Sequence, residues 1–110
     1  MDASEILDFN RDMLRNARRA ADTLKALGHE SRLLILCLLA EKERSVAELE
    51  ELLTMRQPAV SQQLARLKAD RLVNARRDGK AIYYSIASPE VLQIIRTLYD
   101  LYCARDGKGC

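Results

Sequence analysis

The 110-residue sequence predicts one mainly α-helical domain carrying a small β-hairpin, and three observations predict it. Two short helical patterns follow each other across a tight break between Ser45 and Ala69. An alternating pair of strands then surrounds Asp78-Gly79. Longer apolar periodicities flank this centre on both sides, near each end of the chain.

From Ala3 to Leu27, Ile6, Leu7, Met13, Leu14, Ala17, Ala20, Ala21 and Leu24 recur at helical spacing, with Ser4 in a capping position. Such an N-terminal helix adds little to a reader head, so it is expected to pack against a partner chain as well as its own core. Gly28 ends it, and a core helix runs from His29 or Glu30 to about Lys42 through LLILCLLA, surrounding Cys37 with leucines and Ile35. His29, the single histidine, reads as a junction residue at that helix start. Ser45 with Glu48 forms a capping box, and Val46, Leu49, Leu52 and Leu53 give the next helix one apolar face. Thr54, Met55 and Arg56 make the turn.

A second helix is expected from about Gln57 to Ala69, with Pro58 in its first turn, where a missing N–H costs nothing. Val60, Leu64 and Leu67 occupy one arc, Gln62, Ala65, Arg66 and Ala69 the opposite side, and Ser61 and Gln63 the flanks. Strands over Leu72–Ala75 and Ala81–Ile86 are joined by Asp78-Gly79, with Ile82, Tyr84 and Ile86 on the inner face. A last helix runs from Pro89, capped by Ser88, to about Arg105. It is apolar over more than one face, so the first helix and a second subunit are expected to cover it. Residues 1–105 form a single domain, and the aperiodic residues 106–110 read as a flexible tail. The architecture is a winged helix-turn-helix, homodimeric through its terminal helices.

Gln side chains can bond two atoms of an adenine edge and Arg two of guanine, which makes the polar side of the second short helix a candidate reader of the major groove. Arg56, Arg66, Lys68, Arg71, Arg76, Arg77 and Lys80 oppose only Asp70 and Asp78 across helix and wing, although the whole chain carries a net charge of only +2. The candidate DNA contacts are Gln57, Ser61, Gln62, Gln63 and Arg66 on the helix and Arg76, Arg77 and Lys80 on the wing. A small α/β domain with a solvated helix, or a winged-helix adaptor that binds protein, would show the same periodicities. No apolar run spans a bilayer and the acidic start MDASEILDFNRD is unlike a signal peptide, so the chain is read as cytoplasmic with no membrane partner. No nucleophile and base stand at useful spacing and no Gly-rich phosphate loop occurs, which argues against an enzyme. No cofactor is implied. Three cysteines, an odd number, suit free thiols or a redox switch better than a secreted disulfide framework.

The order of elements, with LGHESRLLILCLL before SVAELEELL and RQPAVSQQLARLKADRLV, resembles the ArsR/SmtB family of bacterial dimeric winged-helix repressors over about Ala21 to Cys103. Relatives usually carry Pro at the position of Glu30 and often His at that of Gln63. The resemblance implies a homodimer on palindromic operator DNA that an inducer removes. The metal-sensing patterns of the family do not match: Ala47 and Glu48 stand where one type has cysteines, and Glu90 to Arg105 has no histidine. Cys37 and Cys103, with TLYDLYCARD, are instead similar to the sulfide-responsive SqrR/BigR branch and its HlyU-like members. That likeness implies a dithiol switch driven by persulfide or polysulfide inducers, in which a disulfide or a bridge of several sulfurs releases DNA. A metal or metalloid sensor using Cys37, Cys103 and Cys110 is the alternative. Physically, Cys37 among apolar neighbours and Cys103 at a helix C-terminus are both disfavoured as thiolates.

Overall fold

The computed structural model describes residues 2–53 and 59–103. Helix α1 (Ala3–Leu27) starts earlier than Ser4 suggests: Asp2 is the N-cap, its carboxylate accepting the Glu5 N–H at 2.9 Å while Glu5 accepts the Asp2 N–H at 3.3 Å. A carboxylate at the positive helix end outcompetes a hydroxyl already inside the first turn. Gly28 closes α1 by donating its N–H to the Leu24 carbonyl at 2.8 Å. Its φ is negative, so glycine is not there for a left-handed turn; an added Cβ would stand 3.2 Å from the Leu24 oxygen.

His29 caps α2 (Glu30–Glu41) through Nδ1, which accepts the Ser31 N–H at 3.2 Å, in agreement with a junction role. Helix α2 is the centre of the molecule. Its Ile35, Leu36 and Leu39 are buried with Leu49 of α3 (Val46–Leu53), Val60, Leu64 and Leu67 of α4 (Ala59–Ala69), and Val91 and Ile95 of α5 (Pro89–Tyr102). Complete burial of the α4 trio is what the arc Val60, Leu64, Leu67 required. The residues expected to form the turn, Thr54, Met55 and Arg56, and the expected helix start, Gln57 and Pro58, lie outside the described residues.

The sheet has three strands, in the order β1-β3-β2. Strand β1 (Arg44–Ser45) pairs antiparallel with β3 (Ala81–Ile86), which pairs antiparallel with β2 (Val73–Asp78). Two residues carry no alternation, which is why β1 is invisible to pattern reading. Arg44 anchors it: buried at 8% exposure, it donates to the Leu38 carbonyl at 3.0 Å and pairs with Glu41 at 2.8 Å. Ser45 also begins α3 as expected, its Oγ accepting the Glu48 N–H at 3.2 Å while Glu48 accepts the Ser45 N–H at 3.3 Å.

At the wing tip Asp78 pairs with Ala81, so the loop is Gly79-Lys80 and not Asp78-Gly79. Gly79 has φ +64 and Lys80 does not share a positive φ, the pattern of a two-residue hairpin with glycine first. Tyr84 and Ile86 pack on the core, whereas Ile82, expected on the same inner face, is 40% exposed nearer the wing tip. Ser88 caps α5, accepting the Val91 N–H at 3.2 Å, but the helix ends at Tyr102, with Cys103 as its cap. Arg105 and residues 106–110 lie outside the described residues. Among the described residues no helix is long and apolar enough to cross a membrane.

Candidate functional site

Helix α4 presents its two faces as the sequence spacing requires. Gln62, Ala65, Arg66 and Ala69 are exposed on the side opposite the buried trio, Ser61 is exposed on one flank, and Gln63 is half-buried on the other. Arg66 is not free: its Nε donates to Asp70 at 2.9 Å, one turn along the helix. Gln57, the first expected contact, lies outside the described residues.

Gln63 meets a residue to which sequence reading gave no role. Arg32, in the first turn of α2, donates from Nη1 to Gln63 Oε1 at 3.2 Å, from Nε to the Ala26 carbonyl at 2.7 Å and from Nη2 to the Lys25 carbonyl at 3.2 Å. The only signal was its place inside LGHESRLLILCLL.

The wing separates its cations into two kinds. Arg76 is clamped by Glu43 in two bonds of 2.6 and 2.8 Å, stands 3.7 Å from Asp78, and lies over the Tyr83 ring at 4.8 Å from its centroid. The Arg76 hydrogen bond lowers the Glu43 carboxyl below the usual carboxylate value, which favours the charged pair. Arg77 and Lys80 are exposed and form no ion pair among the described residues. Glu43, outside both helix and wing in sequence, is the second partner of a candidate contact residue that pattern reading missed.

Between α2, α3 and α5 lies an open cavity of about 660 Å³. Leu34, Leu38, Leu52, Leu53, Ile95 and Tyr99 make its apolar wall, with Glu41, Arg96 and Asp100 contributing charge. Cys37 is part of this wall, half-buried and a free thiol. Burial pushes its pKa up, and the Glu41 carboxylate adds to the effect, so the sulfur keeps its proton at neutral pH. Cys103, also half-buried, donates its N–H to the carbonyl of Tyr99, a cavity residue, at 2.8 Å. Cys103 is disulfide-bonded and Cys37 is not, so the two are not joined to each other. Cys110 lies outside the described residues. Among the described residues no three His, Cys, Asp or Glu side chains are grouped to hold a metal.

A family model described as bacterial regulatory protein, arsR family, matches residues 29–75, from the cap of α2 into β2. The transcriptional activator HlyU of Vibrio cholerae is 44% identical over 92 residues, 84% of this chain and 85% of that protein. The biofilm growth-associated repressor of Xylella fastidiosa is 39% identical over 95 residues, 86% of this chain and 83% of that one. The structure of reduced HlyU from Vibrio cholerae superposes with a TM-score of 0.81 at 43% identity, covering 84% of this chain and 98% of the other. With that identity over most of both chains, this protein belongs to the arsR family of bacterial DNA-binding transcriptional regulators, which are not enzymes.

Proposed function

We propose that this regulator is a cytoplasmic, homodimeric repressor that grips a palindromic operator and releases it when persulfides or polysulfides bridge Cys37 and Cys103. The observation that carries this reading is the shared cavity: Cys37 stands in its wall, and Tyr99, whose carbonyl holds the Cys103 N–H, stands in the same wall. The two residues come from helices that pack directly on each other.

The sulfur chemistry closes without a separate oxidant. A persulfide donor RSSH transfers its outer sulfur to one thiol and leaves as RSH; the other thiol then attacks the inner sulfur, expelling hydrogen sulfide and forming the bridge. Where Cys103 begins in a disulfide, the Cys37 thiolate attacks the Cys103 sulfur and the former partner departs as a thiolate. Where both thiols are first persulfidated, the terminal sulfur of one attacks the inner sulfur of the other and expels hydrogen sulfide, leaving a three-sulfur bridge; each sulfur retained lengthens the reach by up to about 2 Å.

On the DNA side, Gln57, Ser61, Gln62, Gln63 and Arg66 face the major groove, with Gln62 the principal reader, and Arg76, Arg77 and Lys80 meet phosphates. A dimer is supported by apolar residues that the single chain leaves bare: Ile6, Leu7, Phe9, Met13 and Leu14 on α1 are 46–67% exposed, and Tyr102 on α5 is 73% exposed. Two-fold symmetry then spaces the α4 helices by about one DNA turn, roughly 34 Å. A bridge between α2 and α5 would tie the reader's support to the dimer helix and alter that spacing. Mass spectrometry of unreduced peptides after persulfide treatment tests the reading. It is expected to find the Cys37 and Cys103 peptides linked as DNA is released; release with the two peptides separate would refute it.

A further inference from the structure

Arg32 uses three nitrogens on three acceptors from two other helices. Two are carbonyls in the last turn of α1, Lys25 and Ala26, where backbone acceptors lack helical partners and the dipole favours a cation. The third is the amide oxygen of Gln63, in the second turn of α4. The guanidinium is thus a three-way joint between the end of α1, the start of α2 and the helix that faces DNA. Among the described residues no other side-chain hydrogen bond joins α4 to another helix.

The remaining contacts of α4 with the core are apolar, through Val60, Leu64 and Leu67. Such packing is non-directional and resists separation more than rotation, whereas a hydrogen bond to a rigid planar fork fixes a direction. Gln62 and Gln63 are neighbours on the helix, about 100° apart around its axis. Fixing Gln63 therefore fixes where Gln62 points. A Gln that reads adenine needs its oxygen and nitrogen together, and here the Gln63 oxygen is turned to Arg32.

We infer that Arg32 is a positioning residue for operator recognition: through Gln63 it sets the rotation of α4, and Gln63 serves as its anchor and not as an independent base reader. The inference rests on the reading that α4 enters the major groove with Gln62 outward.

The test is a double-mutant cycle on the full chain, with Arg32→Met, Gln63→Met and both together, and Gln62→Ala beside them. Affinity is measured on an operator selected from random duplexes by the unsubstituted protein, and on random DNA, with thermal melting to set the folded fraction. Each single change is expected to reduce the preference for operator over random DNA about tenfold, and the double change no further. Random-DNA binding should move less than twofold. Arg32→Lys should not restore preference, because one ammonium cannot span a helix end and an amide. Additive losses, about a hundredfold in the double variant, would make Gln63 a reader in its own right and overturn the inference. Preference retained by Gln63→Met, a half-exposed site where folding is not at stake, would overturn it as well. If Gln62→Ala also keeps full preference, the α4 reading falls and takes the inference with it; if Gln62→Ala loses preference while Gln63→Met keeps it, only the inference falls.

Discussion

Helices α2 and α4 press apolar faces into the same core, yet their other sides meet opposite surroundings. On α2 the half-buried Cys37 opens into an apolar cavity, and burial keeps its proton on. On α4 and the wing the candidate contact groups are exposed apart from the half-buried Gln63, but two cations already have acids of the same chain: Arg66 has Asp70, and Arg76 has Glu43 and Asp78. The contrast teaches that residue type alone ranks neither site. A thiol is restrained by what it is buried in, and a surface cation by the carboxylate it would have to leave in order to bind phosphate.

The largest effect should separate the two faces of α4 itself. Leu64→Ala, at a fully buried position, is expected to cost about 2–5 kcal/mol in urea denaturation, while Ala65→Ser on the exposed face stays within about 0.5 kcal/mol. Equal costs would mean that α4 does not bury the face seen here. Next, removing the two wing cations that have no ion pair among the described residues, with Arg77→Ala and Lys80→Ala, should weaken binding to any duplex at least about tenfold and lower the salt slope by about two. A loss confined to operator DNA would place them on bases instead.

Gln62→Ala should cost the operator complex about tenfold with little change on random DNA, since a lost base-edge contact carries sequence and not charge. Glu43→Gln sharpens the contrast between free and paired cations: releasing Arg76 should tighten DNA binding a few-fold and steepen the salt slope by up to about one. Unchanged or weaker binding would mean that the pair orients Arg76 for DNA. The smallest effect concerns the thiol. Alkylation of Cys37 should rise with pH to a midpoint above the ordinary 9.0, because its raised pKa postpones the thiolate, and Glu41→Gln should bring that midpoint down only part of the way, burial being the larger cause.

Most of the architecture was legible because its signals are local and periodic: the Val60, Leu64, Leu67 arc, the Ser45–Glu48 box, the glycine at the wing and the Ser88-Pro89 start of α5 each depend on neighbours in the chain. What escaped depends on partners far apart in sequence. Strand β1 is two residues long and exists through its pairing with β3. The bonds Arg32–Gln63 and Arg76–Glu43 span 31 and 33 residues, so no local pattern could pair them. Ser4 was the expected cap, yet Asp2, two residues earlier, takes that place with its carboxylate on the Glu5 N–H. For the thiols, the family resemblance and not the residues themselves indicated which cysteines to watch, while the cavity that brings Cys37 and Tyr99 into one wall comes from helix packing.

The most direct test of the proposed switch is operator affinity of the fully reduced protein before and after a persulfide donor, with Cys37→Ser and Cys103→Ser measured in parallel. The account predicts a roughly 5- to 150-fold loss for the unsubstituted protein, reversed by a thiol reductant, and continued binding by both variants. Release of either serine variant to the same extent as the unsubstituted protein would contradict it.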